Sequence, residues 1–192
     1  MHSKAKGKRE RKFSFGDAVV VGVALIAIIW LASTFAAPHT QATTTSEQSG
    51  GAPDFTLPVV EQNGLTGQSV SLSTFRGKVV LLEFMVPWCD HCKAMAPILE
   101  RLYQQFGSQN VVFLSVSGAW NGASASDAEQ FIKAYQSTWT YVYDSSNSIF
   151  TTYGVTQTPT FFLIAKNGQV AGTYQGEVTY ETLAAELTRL SA

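Results

Sequence analysis

The residues from about 53 onward predict an α/β domain whose sheet begins parallel and ends antiparallel. Three observations carry this. Residues 79–85 (VVLLEFM) form an almost unbroken apolar run rich in strand formers, as expected of a strand buried on both faces. A helical pattern follows, and then a second such run, VVFLSV at 111–116. Near the end, TFFLI at 160–164 and QVAGTY at 169–174 flank Asn167-Gly168, the signature of a hairpin.

The elements follow in order. Met95, Leu99, Leu102 and Phe106 recur at helical spacing, predicting a helix over about 90–106 with a bend at Pro97. Ser126-Asp127-Ala128-Glu129 has the spacing of a capping box, ahead of a helix that carries Phe131, Ile132 and Tyr135. Residues 140–143 read as a short strand and 147–153 as a short helix or turn. Thr179 caps a last helix in which Leu183, Leu187 and Leu190 share a face. Strands alternating with helices before a closing hairpin are the pattern of a mixed sheet covered by helices.

Ahead of this domain the chain divides into three parts. Six basic residues (Lys4, Lys6, Lys8, Arg9, Arg11, Lys12) crowd residues 1–17, opposed only by Glu10 and Asp17. Residues 18–37 contain no charge and, at 1.5 Å per residue, reach about 30 Å, the thickness of a bilayer's hydrocarbon core. A single transmembrane helix is therefore expected, with a cleaved secretory signal as the alternative. The basic cluster places the N-terminus in the cytoplasm and residues 53–192 outside it. Residues 38–52, dominated by Thr, Ser, Gln and Gly, read as a flexible linker.

Charge follows the same division. The 192-residue chain has a net charge of −1, but from Pro38 onward seven basic residues face twelve acidic ones. Neither the total nor the outer domain has the basic footprint of a nucleic-acid binder, and the basic cluster abuts a membrane-length run.

The chain has two cysteines, Cys89 and Cys92. They sit where the first buried strand gives way to a helix, in Trp88-Cys89-Asp90-His91-Cys92. Free N–H groups at a helix start stabilise an anion, here the Cys89 thiolate. Cys92 lies one turn deeper, within reach of a mixed disulfide on Cys89. A redox-active pair is expected. A structural disulfide closing so short a loop would constrain little of the unfolded chain. A zinc site would need His91, His2 and His39 as further ligands, two of which lie in the stub and linker. No metal is expected, and no cofactor beyond the redox-active disulfide Cys89–Cys92.

Residues 52–57 (APDFTL), 70–84 (VSLSTFRGKVVLLEF), 88–92 (WCDHC) and 153–164 (YGVTQTPTFFLI) together resemble the membrane-anchored thioredoxin-like proteins of the TlpA and ResA kind. The resemblance covers essentially all of 52–190. It implies a thioredoxin fold and a thiol–disulfide oxidoreductase acting on protein thiols and disulfides, recharged by a membrane or extracytoplasmic redox partner. Cys89 would be the attacking nucleophile and Cys92 the resolving thiol. Pro159 stands at the family's cis-proline, so that the backbone of Thr158 would pair with an extended substrate. Glu83, six residues before Cys89, matches a buried acid that moves protons to and from the resolving cysteine. A carboxylate paired with Lys78 or Lys93 is the alternative for Glu83. Trp88 would shield the disulfide and contact substrate. His91 and Asp90 would tune the redox poise in opposite senses. A histidine at position 91, where these reductases more often carry proline, leaves the direction of electron flow open. Pro87 departs from the family pattern as well.

Two other functions share parts of this pattern. Peroxiredoxin-like thiol peroxidases share the fold and much of the 53–78 segment, but have a threonine three residues before the cysteine, where this chain has Val86. Non-enzymatic metal carriers related to this fold space their cysteines by three and add a distal histidine; here the spacing is two, and no histidine follows His91.

Overall fold

The computed structural model describes residues 51–192. The basic stub (1–17), the apolar run (18–37) and nearly all of the linker (38–52) lie outside the described residues. Among the described residues no helix is long and apolar enough to cross a membrane.

Among the described residues, seven strands form one sheet. Strands β1 (Thr56–Glu61), β2 (Gly64–Ser71), β3 (Val79–Met85), β4 (Val111–Gly118), β5 (Thr140–Asp144), β6 (Thr160–Ile164) and β7 (Val170–Gln175) lie in the order β2-β1-β5-β4-β3-β6-β7. β3, β4 and β5 run parallel, while β6 and β7 on one side and β1 and β2 on the other are antiparallel. Parallel neighbours need crossovers, and helices α1 (Asp90–Phe106) and α2 (Ala125–Tyr135) supply them. Helices α3 (Ser148–Thr152) and α4 (Tyr180–Ser191) complete the fold.

β3 is an interior strand between β4 and β6, and all seven of its residues are buried. Side chains alternate along it. Val79, Leu81 and Met85 pack with Met95, Leu99 and Leu102 of α1, Phe131 of α2 and Leu183 and Leu187 of α4. Val80, Leu82 and Phe84 turn to the opposite face, against Phe150 of α3, Phe55, Leu72 and Val155. Glu83 falls between Leu81 and Met85, on the face covered by α1. The apolar run at 79–85 is thus a strand enclosed on both sides, and its one carboxylate points into the core.

Several expectations are sharpened. α1 runs through Pro97 without a break from Asp90 to Phe106. The capping box of α2 lies two residues earlier than the sequence pattern indicated. Ser124 is the N-cap: its hydroxyl accepts from the Asp127 N–H while the Asp127 carboxylate accepts from the Ser124 N–H. Glu129 instead pairs with Lys133 along the helix, at 2.6 Å. The reciprocal Ser124–Asp127 pair satisfies two otherwise unpaired donors and starts the helix at Ala125. The hairpin β1–β2 carries no strand signature in the sequence; β2 is largely exposed and lacks the alternation that marks a half-buried strand. Gly51 bridges Gln169, and the Ala52 N–H donates to the Gly168 carbonyl at 2.9 Å. These two residues, read from composition as the end of the linker, are tied to the β6–β7 turn.

Candidate active site

The site lies at the C-terminal end of β3. Val86, Pro87, Trp88 and Cys89 make a tight turn closed by the Cys89 N–H donating to the Val86 carbonyl at 3.1 Å. Pro87 takes its second position, where a fixed φ near −65° fits such a turn. The departure at Pro87 therefore has a local structural use: it helps re-aim the chain from strand to helix.

Cys89 is the N-cap of α1. Its backbone is extended and its sulfur accepts from the Cys92 N–H at 3.4 Å. The sulfur thus faces a backbone donor at the positive end of the helix dipole. Cys89 is 7% exposed and Cys92 fully buried. Both are free thiols. Burial, reinforced by the Glu83 charge and the hydrogen bond with Cys89, pushes the Cys92 thiol well above the ordinary range. The pair is thus asymmetric. The outer sulfur meets a backbone donor at the helix start, and the inner one needs a base to lose its proton.

Across the sheet the Thr158–Pro159 peptide bond is cis. The Cys89 thiol donates to the Thr158 carbonyl at 3.4 Å, which brings the two segments together although 69 residues separate them. The Pro159 carbonyl accepts from the Gly176 N–H at 2.8 Å, holding the loop to the end of β7.

Glu83 lies beneath the pair, 2% exposed. Neither Lys78 nor Lys93 partners it; Lys93 reaches Asp90 at 2.8 Å instead. Its partner is Ser115 of β4, which stands opposite it in the parallel register and donates to its Oε2 at 2.5 Å. Burial pushes the Glu83 carboxyl up to about 7, with the Ser115 hydrogen bond opposing the rise. A carboxyl held near neutrality can take or give a proton at physiological pH.

The remaining predicted site residues lie on the surface and turn outward. Trp88 is 47% exposed, and its indole N–H donates to the Trp120 carbonyl at 3.2 Å. With Pro87, Lys93, Phe131 and Tyr135 it lines an open groove of about 420 Å³ beside the cysteines. Asp90 is held in its ionised form by Lys93, which lowers its pKa. His91 Nδ1 lies 2.6 Å from Glu177 Oε1, so the imidazole is directed toward the segment before α4. Ser115, Trp120 and Glu177 were not picked out from the sequence. Ser115 had a signal, as a polar residue inside an apolar strand, but only the strand register shows that it faces Glu83.

Among the described residues no group of three or more His, Cys, Asp or Glu side chains converges as a metal site would require.

Residues 50–173 match the AhpC/TSA family. The chain is 34% identical over 132 residues to the thiol-disulfide oxidoreductase ResA of Geobacillus thermodenitrificans, covering 69% of this chain and 71% of that protein. The ResA of Bacillus subtilis is 31% identical over 132 residues, 69% of each chain. Among solved structures, a putative thiol:disulfide interchange protein DsbE from Chlorobium tepidum superposes with a TM-score of 0.66 at 28% identity, over 74% of this chain and 96% of that one. StoA from Bacillus subtilis gives 0.60 at 27%, over 71% and 97%. The mixed sheet with its flanking helices is a thioredoxin-like fold, and the chain belongs to the AhpC/TSA family as a thioredoxin-like thiol–disulfide oxidoreductase of the TlpA/ResA kind.

Proposed function

We propose that this protein is a membrane-tethered oxidoreductase that exchanges disulfides with protein substrates outside the cytoplasm through Cys89-Asp90-His91-Cys92. The observation that carries the chemistry is the asymmetric pair, with Cys89 at the helix start and Cys92 buried above a carboxyl near neutrality.

In the reducing direction the Cys89 thiolate attacks one sulfur of a substrate disulfide. A Cys89–substrate bond forms, the substrate S–S bond breaks, and the first substrate sulfur leaves as a thiolate. Glu83 then takes the proton of Cys92. The Cys92 thiolate attacks Cys89 Sγ, closing the Cys89–Cys92 disulfide and expelling the second substrate sulfur. Two electrons pass from the protein dithiol to the substrate, and the proton held by Glu83 leaves to the departing thiolate or to solvent. Oxidation of a substrate dithiol is the same sequence reversed. Trp88 and the groove beside it receive the substrate, and the backbone at Thr158-Pro159 lines its path. Asp90 and His91 adjust the poise. No cofactor is required beyond the cysteine pair, and a separate redox partner in or outside the membrane restores its oxidation state.

The uncharged run at 18–37 and its basic N-terminal flank support the tether, a cytoplasmic N-terminus and an outer catalytic domain. Val86, fully buried where a thiol peroxidase carries a threonine hydroxyl, tells against peroxide as the substrate. The spacing of the cysteines tells against a metal carrier.

The test uses the full chain in a mild detergent with a small dithiol as reductant. A disulfide-bonded protein such as insulin should be reduced catalytically, with turnover unaffected by a metal chelator, while hydrogen peroxide is consumed no faster than by the dithiol alone. Rapid peroxide turnover with no disulfide reduction would overturn the proposal.

A further inference from the structure

We propose that Ser115, oriented by the indole N–H of Trp139, is a positioning residue that stabilises the carboxylate form of Glu83 and so sets the pH at which Glu83 accepts the Cys92 proton. This rests on the reading of Glu83 as the base of the exchange reaction.

The argument is one of hydrogen-bond direction. Ser115 Oγ hydrogen-bonds Trp139 Nε1 at 2.8 Å and Glu83 Oε2 at 2.5 Å, and the Tyr141 hydroxyl, which donates to Ser137, also lies beside it. An indole nitrogen only donates. Ser115 must therefore accept from Trp139, and its single hydroxyl proton is left for Glu83. Ser115 and Trp139 are both buried, so neither bond is exchanged for one to bulk water. The resulting chain, Trp139 N–H to Ser115 O–H to Glu83 carboxylate, ends in a donor aimed at the charged form of the acid. A donor to the charged form lowers a carboxyl's pKa, whereas burial raises it. Without this hydroxyl, burial would act on Glu83 unopposed.

The groups around Glu83 leave this bond as the adjustable element. α1 brings Cys92 to it and β5 brings Tyr141, both raised by burial and by the Glu83 charge. In the resting dithiol both are neutral and bring no positive charge to the carboxylate. β6 sets Phe161 beside it, and the α2 and α4 side chains on this face, Phe131, Leu183 and Leu187, carry no charge. No cation among these groups holds the carboxylate; the Ser115 hydroxyl does.

The experiment follows the Glu83 side-chain carboxyl by carbon NMR against pH in the full chain in detergent, with its signal assigned by its loss in Glu83→Gln. The exchange rate is measured over the same pH range. A hydrogen bond to a charged group is worth enough for its removal in Ser115→Ala to raise the midpoint by about one to two pH units. The rising limb of the rate profile should move with it. Trp139→Phe, which frees the hydroxyl to turn, should shift both in the same direction by about half a unit, and Ser115→Thr should restore the wild-type midpoint. Should Ser115→Ala fail to fold, Trp139→Phe carries the test. A Glu83 midpoint that stays put or falls in these variants overturns the proposal, however the rates behave. A rate profile unchanged in Glu83→Gln instead overturns the reading of Glu83 as base.

Discussion

Cys89→Ala is expected to reduce disulfide exchange to the uncatalysed background at every pH. The remaining thiol cannot substitute. Cys92 is fully buried one turn inside α1, and burial and the nearby Glu83 charge keep it protonated. A protonated, inaccessible thiol is a poor nucleophile. The same reasoning makes the fold insensitive to the change. Cys89 contributes one 3.4 Å contact to the Thr158 carbonyl and one to the Cys92 N–H, both long sulfur hydrogen bonds. Thermal unfolding of the reduced protein should shift little while activity disappears, and calorimetry beside the insulin assay reads both.

Glu83→Gln should do the reverse, costing rate while adding stability above neutral pH. At pH 7 to 8 the resolving step loses its base, and general-base contributions of about 10²-fold are typical. The rise in rate through about pH 7 should vanish with it. For stability, the native carboxyl has its pKa raised from 4.5 to about 7, so between those values the folded state holds a proton that the unfolded state has released. Stability linked to Glu83 is therefore fully present below about 4.5 and is lost as pH climbs through about 7. The shift corresponds to roughly 3 kcal/mol. The group is buried, so solvent screening does not reduce that figure appreciably. Glutamine keeps the shape without the charge. Denaturant unfolding at pH 5 and pH 8 should show a loss of stability with pH in the wild type and a nearly flat response in Glu83→Gln. A wild type that gains stability over that interval would contradict the buried, raised carboxyl.

What was legible in the sequence follows what is local in the structure. The turn and helix around Cys89 and Cys92 are set by neighbours in the chain, and strand, helix cap and cysteine spacing all appear within 79–106. β3 announced itself because a strand buried on both faces must be apolar at successive positions. β2 did not, since its exposed Gly, Thr, Gln and Ser have no core to face. The start of α2 was misplaced by two residues because Ser124-x-x-Asp127 and Ser126-x-x-Glu129 offer overlapping capping patterns, and only the backbone shows which one closes. Cis geometry at Pro159 came from family resemblance; an X–Pro bond taken alone is trans far more often than cis. The Glu83–Ser115–Trp139 chain was out of reach because it depends on the register of β3 against β4 and on a tryptophan 24 residues beyond the serine. His91 and Asp90 were legible as residues but not in their partners, Glu177 and Lys93.

The central claim, that Cys89 attacks and Cys92 resolves, is tested most directly by trapping the covalent intermediate. The full chain carrying Cys92→Ala is mixed in its thiol form with a disulfide-bonded peptide and weighed intact by mass spectrometry. A stable adduct of one peptide sulfur chain on Cys89 is expected, released by added dithiol, whereas the wild type should pass to its Cys89–Cys92 disulfide and Cys89→Ala should form no adduct. A Cys89→Ala protein that forms the adduct on Cys92 as readily as Cys92→Ala does on Cys89, or a Cys92→Ala protein that forms none, would contradict the assignment.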